Sequence, residues 1–501
     1  MSNWGGGYVT DVTYTTGWYR QQSPLIVSLA CLLGGVESPM PAGDDAVSYL
    51  ELGCGHGYGA LLLAASNPAW RVTAVDFNPA HIAVARDWAA EAGLTNVTFI
   101  EADLSTLAGE AAARSIPEAD FVSLHGVWSW VPAAVQAGIV RLLRDKVRPG
   151  GAVHVSYNAL PGWGSGVGMG RLLRMVGGQR AARSDRQAEE GLKFIRELHA
   201  ADALQLKRSP LVQMLVEKLE SLSGSYLAHE YMNESWAPCF MADVAQALAG
   251  AKLEWVGVSN LIENFPELTL TEAQRALVNR FDDPLVRELI KDHCIERVLR
   301  HDVYVRGARR MSPPQRDAAL MDLSIAFNRR PEDLPLEAEM PAGKAELNPK
   351  FYRPIVEALT DGPRRVSDLL QLPEVEGKRD NPAELVGILV GSELAEPALR
   401  PTAVPSAAAQ RFNRVAMRRL LQTVPISRPV GVASHRLGTA APAAVLDLLV
   451  MDRTLEGEGD IEDILRFLND RSTITDEASL RSVLTTCIND RLPRLRASGV
   501  L

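Results

Sequence analysis

The chain reads as an α/β protein, with a largely parallel sheet in its N-terminal half and mainly α modules after it. Three observations carry that reading. From residue 47 to residue 157, short apolar runs alternate with helical stretches, the pattern of a parallel sheet with right-handed crossovers. The first run ends in a glycine-rich turn, Val47 to Gly59, reading VSYLELGCGHGYG. Beyond residue 348 the pattern becomes one of short, capped helices.

Taken in order, residues 8–45 precede the sheet as loop and helix. Ser23-Pro24 followed by Leu25, Ile26, Leu29, Leu32 and Leu33 fits a capped amphipathic helix. Strands are expected at 47–52, 71–76, 97–101, 120–125 and 152–157, with helices between them. Pro149-Gly150-Gly151 turns the chain into the fifth strand. Residues 166–250 carry helical periodicity, including Leu211, Val212, Leu215, Leu219 and Leu222. Strand-like runs return at Leu253–Val258 and Asp302–Arg306, with helices over 271–300 between them. The expected domains are therefore 1–310, with 166–250 as a helical insertion, a linker with one helix at 311–347, and two modules at 348–405 and 406–501. Asn348-Pro349, Ser367 and Asn381-Pro-Ala-Glu384 start three short helices, and with Leu394–Leu399 they suggest a winged-helix-like module. The last segment reads as a further helical set, without a clear repeat.

Composition excludes several classes. The formal charge is −9, so there is no global basic footprint for nucleic acid. The third helix of the winged-helix-like module and its flank carry Glu384, Glu393 and Glu396 against Arg400, and phosphate contact requires cations. Leu25 to Leu33 is too short to span a bilayer, and the N-terminus lacks a basic, apolar leader. No membrane association is expected. Cysteines 31, 54, 239, 294 and 487 are scattered without a CxxC pair, which argues for free thiols, a cytoplasmic location and no metal site.

The glycine turn narrows the chemistry. Glycines at 53, 55, 57 and 59 suit positive φ and close approach of a ligand to backbone. A dinucleotide is the rival ligand, its pyrophosphate facing the helix N-terminus. Glu51 argues against it: an anion ending the strand is poorly placed beside pyrophosphate but suits an ammonium and a sulfonium. Asp76 and Asp103 close the next two strands, placed for ribose hydroxyls and for the adenine amino group. The cofactor expected is S-adenosylmethionine, bound by Glu51, Gly53, Cys54, Gly55, Gly57, Asp76, Phe77, Asp103 and Leu104. Cys54 serves there as a small residue.

Four further motifs extend the pattern: Tyr8–Tyr14 (YVTDVTY), His125–Pro132 (HGVWSWVP), Ser156–Trp163 (SYNALPGW) and His229–Asn233 (HEYMN). With the glycine turn they resemble class I methyltransferases that carry a methyltransferase regulatory domain. That group includes lysine methyltransferases of bacterial outer-membrane proteins. The likeness is good from about residue 8 to about residue 310 and loose beyond; the glycine motif is common to all class I enzymes, and the three later motifs are more specific. It implies a Rossmann-like seven-stranded sheet whose last two strands form an antiparallel pair, with the helical insertion over the site. It also implies a protein substrate, such as an outer-membrane protein before export, with a small molecule as the alternative acceptor and a homodimer allowed. A non-catalytic cofactor-binding scaffold is a third reading.

Methyl transfer from a sulfonium needs the nucleophile in line, unprotonated and shielded from water. His125 and Gly126 end the fourth strand at the edge where ligands bind in such sheets. Trp128 and Trp130 offer cation–π faces, and Asn158 offers a carbonyl to an incoming amine. The resemblance adds Glu230 and Tyr231 around the amine, and Tyr14 and Tyr19 as a lid over the cofactor.

Overall fold

The computed structural model describes residues 5–12, 16–41, 45–180, 183–219, 222, 224–340, 342–377, 379–457, 459–469 and 477–501. Its centre is a seven-stranded mixed sheet: β1 (Ser48–Leu52), β2 (Arg71–Asp76), β3 (Val97–Glu101), β4 (Ala119–Leu124), β5 (Val147–Asn158), β6 (Leu253–Val258) and β7 (Leu299–Arg306). The spatial order is β3-β2-β1-β4-β5-β7-β6. The first five strands are parallel, and β7 runs antiparallel between β5 and β6. The order reverses between β1 and β4, so a crevice opens at their carboxyl ends, the usual ligand position in such sheets.

The near-continuous burial of β1, β2 and β4 reflects cover on both faces. Helix α1 (Pro24–Leu33) lies on one face, along with α2 (Tyr58–Ser66) and α3 (Pro79–Ala92). The expectation of an amphipathic, side-chain-capped α1 is corrected. All of its residues but Leu33 are buried, because further chain covers its outer side. Ser23 does not cap it; its hydroxyl pairs with that of Thr439 at 2.9 Å.

That outer cover is the C-terminal region. Residues 311–347, expected as a linker, hold the helix Pro313–Met321 and the strand Ser324–Phe327, which is central in a three-stranded sheet with Arg364–Arg365 and Ala395–Pro397. Residues 406–501, expected as helical, also form a hairpin, Pro429–Ser434 with Thr439–Ala444. Both departures share one cause: short, Ala-, Pro- and Arg-containing strands carry little strand signal of their own and form where tertiary pairing supports them. Helix α4 (Ala407–Thr423) and the hairpin pack on α2, and Phe412 meets Tyr58 and Trp88 at ring distances of 5.6 and 6.5 Å. One hydrophobic core runs from α1–α3 through Ile355, Leu389 and Leu449 to Leu495.

The insertion over the site is helical: Gly166–Gly178, Ser184–Ala200, Leu204–Lys207, Pro210–Leu219 and Gly224–Tyr231. It builds a small core of its own that takes in Val9 and Val12 from the N-terminal segment. Among the described residues, no helix is long and apolar enough to cross a membrane.

Candidate cofactor and acceptor site

The turn after β1 is shaped by three left-handed glycines: Gly53 at φ +73°, Gly55 at +53° and Gly57 at +72°. Two have no room for a side chain. A Cβ on Gly53 would lie 2.4 Å from Val127 Cγ2, and one on Gly57 2.5 Å from the Phe99 ring. The Gly53 and Cys54 amides donate to the Val75 carbonyl at 2.8 and 3.1 Å, which holds the turn against β2. Gly57 then starts α2 from its αL N-cap position. The Cys54 thiol lies 3.6 Å from the Gly55 carbonyl, and burial with Asp76 and Glu51 nearby pushes its pKa far up. It is no thiolate nucleophile.

A cavity of about 210 Å³ opens above this turn. Of the residues expected at the cofactor, Tyr19, Glu51, Gly53, Cys54, Gly55, Asp76, Phe77, Asp103, Leu104, His125 and Gly126 line it. Gly57 does not; it packs on Phe99 behind the turn. Tyr14 lies outside the described residues.

The acids differ in their surroundings. Asp76 accepts from the Gly55 amide at 2.8 Å and the Asn78 amide at 2.9 Å, with His81 Nδ1 at 3.3 Å. Asp103 is exposed and accepts from the Ser105 amide at 2.8 Å, a local turn that fixes its carboxylate at the cavity rim. Glu51 is only 6% exposed, and its Oε2 has no hydrogen-bond partner among the described residues. Burial, and then Asp76, push its carboxyl up to about 8.

The other wall comes from the N-terminal segment and the β4 loop. Tyr8, Thr16, Gly17 and Gln22 line the cavity beside Tyr19, which stacks on His125 with ring centres 3.8 Å apart. Ser156 Oγ holds His125 Nδ1 at 3.2 Å and accepts from the Gly126 amide at 2.8 Å. Burial, and then His301, lower the His125 pKa well below the imidazole range. A neutral, stacked and tethered ring orients the loop. His125, His154 and His301 bring ring nitrogens within 4.8 Å of one another. Between His154 and His301 the nitrogens are 3.2 Å apart while the ring centres are 5.5 Å apart. That spacing points the two nitrogens head-on, as in a shared hydrogen bond, whereas ligands of one ion converge from the side.

On the acceptor side, the expectation for Trp128 is corrected. Trp128 is 2% exposed and packs in the core of the second sheet face, and its neighbour Trp130 lines the cavity instead. A short 3₁₀ turn over Trp128–Trp130 sends the two indoles to different surroundings. Trp130 stacks on Trp236 at 5.9 Å; Trp163 and Tyr231 meet Trp236 edge-on at 5.1 and 6.1 Å. Asn158, buried behind this cluster, accepts from Trp236 Nε1 at 3.0 Å and from Ser129 Oγ at 3.2 Å. Its carbonyl is therefore occupied in holding the aromatic wall. Tyr231 is part of that wall. Glu230 lies close enough to Tyr8 for its charge to act on the phenol, and burial lifts its own carboxyl to about 7. None of Trp128, Asn158, Glu230 and Tyr231 lines the cofactor cavity itself.

Comparison with known proteins fits this architecture. Residues 50–151 match a methyltransferase domain, and residues 223–306 match a predicted methyltransferase regulatory domain. An uncharacterized protein of Synechocystis, sll1526, is 31% identical over 512 residues, covering 99% of each chain. The chain belongs to the methyltransferases with a regulatory domain. An uncharacterized Rickettsia prowazekii protein, RP789, is 22% identical over 351 residues, covering 68% of this methyltransferase and 60% of that protein. The structure of PKMT2 from Rickettsia typhi in complex with AdoHcy shares the fold, with a TM-score of 0.70 at 18% identity over 97% of this chain and 99% of that one.

The cofactor of this methyltransferase is S-adenosylmethionine. Its site fits that group: the unpaired oxygen of buried Glu51 calls for a cation, and the glycine turn brings Gly53, Gly55 and Gly59 to the cavity wall, where no side chain fills it.

Proposed function

We propose that this methyltransferase acts on a lysine side-chain amine of a protein. The observation that carries the reading is Glu230, a half-buried carboxyl at about pKa 7 beside an aromatic wall that adjoins the cofactor cavity through Trp130 and Tyr8. A group poised near neutral pH suits the removal of an ammonium proton. The indole faces of Trp130 and Trp236 suit a cationic amine and its methylated product.

When bound, the cofactor supplies an activated methyl group on a sulfonium. In this reading Glu51 pairs with its cationic end, Asp76 accepts from the ribose hydroxyls, and Asp103 accepts from the adenine amino group. Trp130, Val131 and Pro132 keep water from the reacting end. Glu230 takes the proton of the arriving ammonium, so the neutral amine enters along the aromatic wall. Tyr231 steadies Trp236, and Asn158 fixes it from behind. The sequence resemblance to lysine methyltransferases of outer-membrane proteins supports the same acceptor.

The test is incubation with S-adenosylmethionine and an unfolded outer-membrane protein, in parallel with a metabolite extract. Methyl groups located on lysine residues by mass spectrometry are expected. Turnover on the extract alone would select a small-molecule acceptor, and no S-adenosylhomocysteine release from either would leave a cofactor-binding scaffold.

A further inference from the structure

Residues 16–22 roof the cofactor cavity, yet they are held from the far side by chain almost four hundred residues away. The backbone at Tyr19 is extended, at φ −119° and ψ 111°, so neighbouring side chains point in opposite directions. Tyr19 points in, onto His125. Trp18 and Arg20 flank it and point out, toward the C-terminal region.

Arg20 is anchored there through Nε and Nη2. Its Nε lies 2.7 and 2.8 Å from the two carboxylate oxygens of Glu396, and its Nη2 donates to the carbonyls of Val390 at 2.9 Å and Ala395 at 3.1 Å. Glu396 is 4% exposed and sits on the strand Ala395–Pro397. Trp18 lies against Gly431 of the C-terminal hairpin, so closely that a Cβ there would approach its Cδ1 to 2.7 Å. The hairpin also reaches the cavity wall through one residue: Tyr58, a lining residue, donates its hydroxyl to the Gly431 carbonyl at 2.8 Å.

We propose that the C-terminal modules hold the cofactor lid closed, with Arg20 and Glu396 as the positioning pair and Gly431 as the seat for Trp18. The lid ring, Tyr19, lies between the two anchors, and its backbone is held over His125 while both hold. Cofactor affinity then depends on the fraction of molecules with the lid seated, because a site populated only in part binds proportionally more weakly. The inference rests on the cofactor assignment alone and not on the nature of the acceptor.

The experiment is calorimetric titration of the full chain with S-adenosylhomocysteine, which needs no acceptor, alongside thermal melting. Glu396→Gln is expected to raise Kd about tenfold or more, the size of a lost charge-assisted hydrogen bond. Gly431→Ala should weaken binding in the same direction while leaving the ion pair intact, and Arg20→Lys should do so by losing the fork but keeping the charge. In a Tyr19→Ala background, each of these changes should have little further effect on Kd, since the ring they position is already gone. In turnover, KM for S-adenosylmethionine should rise with kcat at saturation largely kept. If Glu396→Gln fails to fold, Gly431→Ala and Arg20→Lys carry the test. Unchanged Kd in the folded variants with only a lower melting temperature, or losses that add fully to that of Tyr19→Ala, would overturn the proposal.

Discussion

Glu51→Gln tests the centre of the cofactor site. In the ligand-free protein, burial and Asp76 raise the Glu51 carboxyl from 4.5 to about 8. The folded pKa lies above the unfolded one, so between those values the folded chain holds a proton that the unfolded chain has released. That contribution to stability is complete below about pH 4.5 and is lost as pH rises through about 8. At about 1.4 kcal/mol per pKa unit, the whole effect is at most ~5 kcal/mol. Glutamine keeps the shape and never ionises, so the variant should match the parent below about pH 4.5 and melt at higher temperature above pH 8. Cofactor binding should show the opposite preference. An ammonium group beside Glu51 favours the ionised carboxylate, so binding of S-adenosylhomocysteine, which keeps the ammonium though not the sulfonium, should at pH 6.5 release close to one proton and strengthen by up to about tenfold per pH unit toward 8. Calorimetry in two buffers of different ionisation enthalpy reads that proton directly. In Glu51→Gln the release should vanish, the pH dependence should flatten, and affinity should fall. Proton release that persists in the variant, or wild-type affinity without it, would refute the assignment of the cation to Glu51.

Other expectations concern neighbouring residues. Asp76→Ala should lose ~2–4 kcal/mol of cofactor binding, the range for a pair of charge-assisted hydrogen bonds, and an unchanged Kd would reduce Asp76 to a residue that braces Gly55. Gly57→Ala should destabilise the fold by about 1–3 kcal/mol through overpacking on Phe99 and a positive φ, measured by denaturant unfolding without ligand. Glu230→Gln and Tyr231→Phe should both lower kcat with cofactor Kd unchanged, and Glu230→Gln should also remove the rise in kcat/KM with pH through about 7. Full turnover of both variants on a lysine-containing protein would return these two residues to the fold.

The sheet was legible because its strands are short apolar runs ended by acids and glycines, and that local signal survives in the fold. The fifth strand begins at Val147, earlier than expected, because Pro149-Gly150-Gly151 is absorbed through a register shift against β4 instead of turning outside it. Glu51, Asp76 and Asp103 were legible for the same reason: each closes a strand at the edge where ligands bind. Tyr8 and Gln22 carry no such mark. They reach the cavity only because the N-terminal segment crosses it, a consequence of tertiary packing. Trp128 and Trp130 are two residues apart in one motif, and only the 3₁₀ turn decides which is core and which is wall. Arg20 and Glu396 are each ordinary surface charges in sequence, and their pairing across the chain has no local signature.

The molecule also shows why perturbed acids alone do not locate chemistry. On the helix Pro284–Cys294, beside β7, Glu288 is as deeply placed as Glu51, and burial by itself would raise its carboxyl. Lys291, Arg300 and Arg297 surround it and outweigh that, bringing it down to about 2. Arg300 also binds Asp292 at 2.6 Å and Asp302 at 2.8 Å, so each buried anion there has a fixed cation within the fold. In such a network a buried pair broken on one side leaves an uncompensated charge; its role is to lock α-helical cover onto β7. Glu51 stands in the opposite condition. Its neighbour is another acid, one of its oxygens is unpaired, and a cavity lies in front of it. The difference between a structural and a ligand-seeking carboxylate is whether the protein supplies the counter-charge itself, and at Glu51 it does not.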